Sequence, residues 1–507
     1  MELPTVRSLV YDNLGGAIVN LLDGTPLEGQ AEAIAAFTGA LITSLVGFAA
    51  IMLSMFMILW IERKQLGRMM DRRGAMTSLR SLWIGENGTT AGAWWDMVPF
   101  IGKPIGAVNR WLNASFGNHD PDRPTVDRVN NRSWMGFAIF PGFFQNIADG
   151  MKFLIKEHMV PERADKLVFE VAPYLVISST VLILGLIPMG AGIYGANPEL
   201  SVLFAMAVFG IAPIGVFFGG WASNNKYTLI GGIRSAVQLT SYEIPLLLTV
   251  LSVCVVSGSF NFVDIVTFQG QSGAWNLFLL PLGGALFLIS MLAEVERIPF
   301  DMPEAEAELV EGWWTEYGGM RFGLLFAAEY MRTYAACILF AHFFLGGWHA
   351  PFSGVWGDVP IIGLASTSII WVLLKAWLVF AVVFVWARVA LLRIRTDQIL
   401  EFGWRILLPL SVVNLLVAVL FRLFLYDPAG VVEEGLGNAW GLGIFAYTLP
   451  LIVTVASLGL FFYLLNDEDK DASPERMFHV RTLEPAGTVV PGTCLLYTSP
   501  SPRDRSL

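Results

Sequence analysis

The chain has 507 residues, of which 55% are hydrophobic and only 15% charged, with a formal net charge of −10 and a mean hydropathy of +0.60. A soluble domain carries roughly 25% charged residues, so this is the composition of an integral membrane protein; the acidic balance argues against a general nucleic-acid binder, which shows a basic face. Cys254, Cys337 and Cys494 lie far apart without a CxxC, and the five histidines form no HxxxH pair, so no iron–sulfur cluster or metal site is expected and any redox centre must sit on a partner.

Residues 1–36 are polar and contain glycine, without the basic start and apolar run of a cleavable signal peptide. They are expected to form an N-terminal extramembrane segment. A spanning helix needs about 20 apolar residues. Nine segments qualify: 37–61, 168–189, 201–221, 244–260, 276–295, 322–347, 361–387, 404–426 and 442–466. Their length and lack of alternation rule out a closed barrel. The expected architecture is an all-α, polytopic membrane domain over 37–466. Between the first two spans, 75–138 is rich in Asn, Gly and Trp (Trp83, Trp94, Trp95, Trp111, Trp134) and reads as an irregular insertion. It is followed at 139–157 by an amphipathic pattern. Phe140, Phe144, Ile147, Met151 and Leu154 form one stripe; Gln145, Asp149, Lys152 and Lys156 form the other. That pattern predicts a helix lying in the membrane interface.

The tail, 467–507, leaves the last span through the polar run LNDEDKDASPER. Its end, CLLYTSPSPRDRSL, is unrelated in character to what precedes it. Ordinary disorder is one account; the abrupt change resembles adapter-derived read-through, and no function is assigned to it.

Loop charges predict the orientation. Segment 62–166 holds fifteen Lys/Arg, 222–243 holds Lys226 and Arg234, and 388–403 holds Arg388, Arg393 and Arg395. The intervening loops near 190–200, 261–275, 348–360 and 427–441 hold none. The positive-inside rule then puts the N-terminus outside and the C-terminus in the cytoplasm of a multi-pass cell-membrane protein.

The densest chemistry lies between two apolar runs. Residues 294–329 carry nine carboxylates (Glu294, Glu296, Asp301, Glu304, Glu306, Glu308, Glu311, Glu316 and Glu329) against Arg297 and Arg321. Charge at a bilayer edge is expensive and commonly lines a cavity or proton route. Plainer readings stand beside this one. Asp301 and Glu304, with Pro303, have the spacing of a helix capping box. On a continuous helix Glu304, Glu308 and Glu311 would share one face, which a solvated surface also explains. Glu243 opens the fourth span, where an acid favours the helix dipole. Glu329 has apolar sequence on both sides and no such account. Arg332 and Lys375 are intramembrane cations that could neutralise acids or extend a charged path. Clustered, partly buried carboxylates raise one another's proton affinity, which suits proton exchange near neutral pH.

The stretch AEVERIPFDMPEAEAELVEGWWTEYGGMRFGLLFAAEY resembles the signature of the H subunit of bacterial NADH–quinone oxidoreductase, respiratory complex I, the family of mitochondrial subunit 1. GWASNNKYTLIGGIRSAVQLTSYEIP (220–245) is similar to that family's other signature. Shorter matches follow in order: WIERKQLGRMMDRRG (60–74), QNIADGMKFLIKE (145–157), VAPY (171–174), FLGGW (344–348) and RIRTDQILEFGWRILLP (393–409). The resemblance implies a subunit joining the membrane arm to the peripheral arm, forming part of the quinone chamber and starting a glutamate-rich proton channel. It implies partners among the peripheral-arm quinone-module subunits and the antiporter-like membrane subunits. NADH, FMN and iron–sulfur clusters would lie on partners, with quinone as substrate and no cofactor bound by this chain. Carried onto matching positions, the chamber involves Arg63, Arg297, Phe300 and Asp301. The proton path involves Asp149, Glu243, Glu294, Glu304, Glu306, Glu308, Glu311, Glu316 and Glu329.

Three departures stand out. Arg73-Gly74-Ala75 leads into the insertion where the family's RxGPN-like motif runs on towards the amphipathic helix. Leu392-Arg393 replaces a usual Pro-Arg. Glu296 stands where the family usually has Asn. Two rivals are kept open: the homologous subunit of a membrane-bound hydrogenase or other non-NADH dehydrogenase, and a stand-alone secondary transporter. The first would lack a neighbouring NADH-binding flavoprotein, and the second would carry internal inverted repeats, of which none is visible.

Overall fold

A computed structural model describes residues 31–71, 143–190, 194–272, 275–301, 306–350 and 369–424, together with 455, 456 and 459. The chain divides into a unit at Met1–Leu451 and a second at Ile452–Leu507. In the second unit the described residues are helical. The insertion at 75–138, most of the span expected at 442–466 and the tail beyond it lie outside the described residues.

The architecture is all-helical. In chain order the helices are α1 (Ala31–Met69), α2 (Phe143–Ile155), α3 (Lys166–Leu186), α4 (Ser201–Phe209), α5 (Ala212–Ala222), α6 (Lys226–Ser257), α7 (Phe262–Ser272) and α8 (Asn276–Leu279). Then come α9 (Pro281–Glu294), α10 (Glu306–Leu309), α11 (Gly319–Phe344), α12 (Ile369–Val379), α13 (Val385–Ala390), α14 (Thr396–Glu401) and α15 (Leu408–Phe424). Short π segments join α12 to α13 and α14 to α15. Six helices among the described residues are long and apolar enough to cross a membrane, and α9 is a shorter apolar helix. The expected first span, 37–61, lies within α1.

Several helices extend beyond the expected spans or break within them. The helix that holds most of the expected fourth span, 244–260, begins at Lys226, and its first half carries inward polar groups that lower its apolar average. Ser235 and Gln238 are both buried. Asn225 caps this helix by accepting the Tyr227 N–H at 3.1 Å. Gly258, at φ +76°, ends it and returns its N–H to the Cys254 carbonyl. The helix that holds most of the expected eighth span starts at Thr396, ahead of residue 404. The third is interrupted at Gly210–Ile211, and the fifth at Leu280.

α6 is the central post, flanked by α5, α9 and α15, while α11 packs on α3 and α12. Leu203, Phe204, Ile214, Trp221, Leu374, Leu378 and Trp386 face outward. Such a belt suits a hydrocarbon exterior. α2 lies against this body through Asn146, which donates to the Phe56 carbonyl at 3.2 Å, and through Phe153, 5.7 Å from the Phe322 ring. Met151, Leu154 and Ile155 remain exposed, as a helix bedded in an interface requires.

Close backbone approach sets one testable point. A Cβ on Gly231 would lie 2.7 Å from the Trp313 nitrogen and 2.9 Å from the Gly312 carbonyl carbon. Backbone cannot swing aside, so Gly231→Ala is expected to displace the Gly312–Trp314 turn at about 1–3 kcal/mol. A lower thermal midpoint and less assembled complex on native gels would register it; unchanged values would refute the tight docking.

Candidate functional site: a buried arginine–carboxylate network

The turn after α9 brings the acidic stretch back into the protein. The Arg297 N–H reaches the Leu292 carbonyl at 3.2 Å, and the Glu296 N–H reaches that of Ala293 at 3.3 Å. This is the two-bond helix stop in which the residue after the cap is left-handed. Glu296 holds that position at φ +55°. Glycine or asparagine is the common occupant; a glutamate there costs roughly 1–2 kcal/mol. Gln238 of α6 fixes the same turn, donating to the Ala293 carbonyl at 2.9 Å and the Phe300 carbonyl at 2.8 Å.

Arg297 lies at the centre. Its guanidinium is 2.9 Å from Glu329 of α11 and 3.5 Å from Glu62 of α1, and it covers the Tyr330 ring at 4.6 Å. Arg388, at the end of α13, closes on the same Glu62 oxygen. Burial alone would weaken the Arg297 charge, but Glu329 and Glu62 hold it firmly protonated. Asp301 accepts from Arg393 at 2.9 Å. Burial raises its carboxyl above the ordinary range, against the pull of Arg393. Phe300 is buried between Tyr242 and Phe402, at ring distances of 5.5 and 6.3 Å.

A second pair lies deeper. Arg332 of α11 donates to the Glu294 side chain at 2.9 Å and to its carbonyl at 3.1 Å. Glu243 of α6 lies within electrostatic reach of both. Gly210 makes room for it, since a Cβ there would sit 2.7 Å from the Glu243 Oε1.

The sequence-predicted residues thus separate into groups. Arg297, Asp301, Glu294, Glu243 and Glu329 come together, with Phe300 beside them. Arg63 and Asp149, assigned to chamber and proton path respectively, form their own 2.6 Å pair tying α1 to α2. Glu308, Glu311 and Glu316 lie further out. Glu308 and Glu311 are exposed, and Arg234 meets Glu308 at 2.8 Å. Glu316 accepts from Asn225 at 2.7 Å. The single acidic helix face is corrected: α10 stops at Leu309, Val310 turns left-handed at φ +68°, and a 3-10 turn follows. Glu304, and with it the capping-box reading, lies outside the described residues, as does the Glu306 side chain. Lys375 belongs to none of these groups. It donates to the carbonyls of Leu345, Gly347 and His349 at 2.5, 2.9 and 2.6 Å.

Exposure sets the next expectation. A surface pair contributes about 0–1 kcal/mol to stability, so Glu308→Gln is expected to leave assembly of the complex and its thermal midpoint nearly unchanged. Native gels and a thermal melt check this, and a severe loss of assembly would show that the Arg234–Glu308 contact is structural.

Sequence reasoning missed Glu62, Ser235, Gln238 and Tyr330 as site residues, treated Arg388 only as loop charge, and treated Arg393 only as loop charge and a motif position. Glu62 had a signal: it directly precedes Arg63 at the end of an apolar run. The partners of the others are settled only by tertiary contact. Among the described residues no group of His, Cys, Asp or Glu is arranged to hold a metal.

The arrangement can place a fixed positive guanidinium beside a polar headgroup while neighbouring carboxylates respond to changes in its charge. Comparison with known proteins bears on which chemistry uses it. The profile of the family described as NADH dehydrogenase matches residues 124–419. The H subunit of NADH-quinone oxidoreductase from Geobacillus thermodenitrificans is 42% identical over 284 residues, covering 56% of this chain and 82% of that protein. The protein of the same name from Anoxybacillus flavithermus is 40% identical over 281 residues, covering 55% and 81%. On these matches the chain belongs to the family of NADH-quinone oxidoreductase H subunits.

Proposed function

We propose that this chain is the membrane subunit of a proton-pumping NADH:quinone oxidoreductase, in which it contributes to the quinone chamber and couples quinone reduction to proton movement. The observation that carries the reading is the Arg297 network: one guanidinium shared by Glu62 and Glu329, next to Phe300 and Asp301. Reduction of a quinone takes up two electrons and two protons, so charge and proton demand at the headgroup change together. In a low-dielectric site that change alters the cost of ionising nearby carboxylates far more than it would in water. Glu329, Glu294 and Glu243 form the inner part of the proposed proton path. Glu304, Glu306, Glu308, Glu311 and Glu316 belong to its outer part, with Asp149 at the interfacial helix. Electrons would arrive from NADH through FMN and iron–sulfur clusters on peripheral-arm partners, and the coupling would pass to antiporter-like membrane subunits.

Isolation of the native complex, with mass spectrometry of its components, tests the reading. Co-purification with an NADH-oxidising flavoprotein, and NADH-driven quinone reduction, are expected. A hydrogenase partner, or transport activity by the isolated chain, would overturn it. The positive-inside asymmetry further supports an outside N-terminus and a cytoplasmic C-terminus. Cysteines introduced at Thr125 and Thr315 are expected to label from the same, cytoplasmic face; labelling from opposite faces would sink the nine-span orientation.

A further inference from the structure

Glu296 is 6% exposed and belongs to none of the ion pairs among the described residues around it. Glu62 and Glu329 meet Arg297, Glu294 meets Arg332, and Asp301 meets Arg393. Among the described residues the Glu296 carboxylate instead accepts from the neutral hydroxyl of Ser235 on α6. It can therefore gain a proton without stranding an arginine. Glu296 also lines a cavity of ≈ 20 Å³ together with Glu329, Arg332, Trp313 and Trp314. That volume accommodates one water molecule, which needs polar partners to stay. Two buried donors of the lining, Trp313 Nε1 and Arg332 Nε, have no hydrogen-bond partner among the described residues. The carboxyls of Glu296 and Glu329 supply acceptors.

We propose that Glu296 is a proton-exchanging carboxylate, linked to Glu329 through a water held in this cavity by Trp313 and Arg332. The proposal rests on the functional reading above and adds to its proton path a residue outside the acids assigned there. The step is a transfer between oxygens: the water accepts a proton from one carboxylic acid as it gives another to the facing carboxylate, and no net charge is created. The electrostatic setting favours exchange near neutrality. Burial pushes the Glu296 carboxyl up to about 7, while Ser235 and Arg332 oppose that rise and Asp301 and Glu329 add to it. Glu294, on the preceding helix, also interacts with it. The group is thus protonated below about pH 7 and ionised above it.

The test uses the intact complex in proteoliposomes. Glu296→Asn is the first variant, because asparagine suits the left-handed backbone. Wild type is expected to show an inflection near pH 7 in NADH-driven quinone reduction, and a carboxylic-acid C=O band in the redox-difference infrared spectrum. Glu296→Asn is expected to remove the inflection and the part of the band that Glu296 contributes. Ser235→Ala keeps the carboxyl but deletes the donor to its charged form. It should move the inflection upward by about 1 pH unit, the equivalent of one hydrogen bond. An unchanged pH profile and infrared spectrum in Glu296→Asn would overturn the proposal. If that variant does not assemble, an unmoved inflection in Ser235→Ala overturns it instead. A wild-type complex that reduces no quinone would defeat the functional reading, whereas an active complex indifferent to Glu296→Asn defeats this inference alone.

Discussion

Arg297→Ala is expected to reduce quinone-dependent turnover by at least ~100-fold, a loss of about 2.7 kcal/mol in transition-state stabilisation. The substitution strips the guanidinium from Glu329 at 2.9 Å and Glu62 at 3.5 Å, and removes the cation over Tyr330. Glu62 retains Arg388; Glu329 has no second arginine among the pairs described. Breaking a buried ion pair by deleting one partner costs about 3–5 kcal/mol. Part of that cost is avoided if Glu329 takes a proton, and that response itself disables it as an ionised member of the path. Reduction of a water-soluble acceptor by NADH should persist where the complex assembles, because that reaction does not use the quinone chamber. Arg297→Lys should fall in between. It keeps the charge but loses the planar fork that serves two carboxylates and a ring at once. Full quinone turnover in an assembled Arg297→Ala complex would show that the network is structural only.

The helices of this fold were largely legible because long apolar runs interrupted by charge have few other uses. The exceptions share a cause. The helix around the expected fourth span, 244–260, begins 18 residues earlier, at Lys226. Its first half turns Ser235 and Gln238 inward, and an average over the segment does not register which way a polar side chain faces. The density of acid around 294–329 was equally plain, but its pairing was not. Glu62 and Arg388 are 326 positions apart, and Asp301 and Arg393 are 92 apart. Such distances are closed by the packing of α1, α9, α11 and α13, which no local pattern encodes. Local spacing misled once, at the helix face expected for Glu304, Glu308 and Glu311, since the left-handed turn at Val310 divides it.

Glu294→Gln is expected to lower quinone turnover and proton pumping together, by about tenfold or more, while assembly survives. Glutamine keeps the size of the side chain and an oxygen able to accept from Arg332, so the contact at 2.9 Å remains possible. What disappears is a titratable charge. Loss of function in this variant alone leaves two explanations, because Glu294 also balances a buried arginine that is 5% exposed. The double variant Glu294→Gln/Arg332→Gln separates them. Replacing both members of a buried ion pair is often neutral for stability, whereas leaving one stranded is not. If Glu294 serves only as a counter-ion, the double variant regains turnover and pumping. If it carries protons between Glu243 and the Arg297 network, removing the arginine restores nothing, and the double variant stays as slow as the single one. Recovery of wild-type pumping in the double variant would remove Glu294 from the path and leave it as the carboxylate that lets α11 keep an arginine inside the membrane.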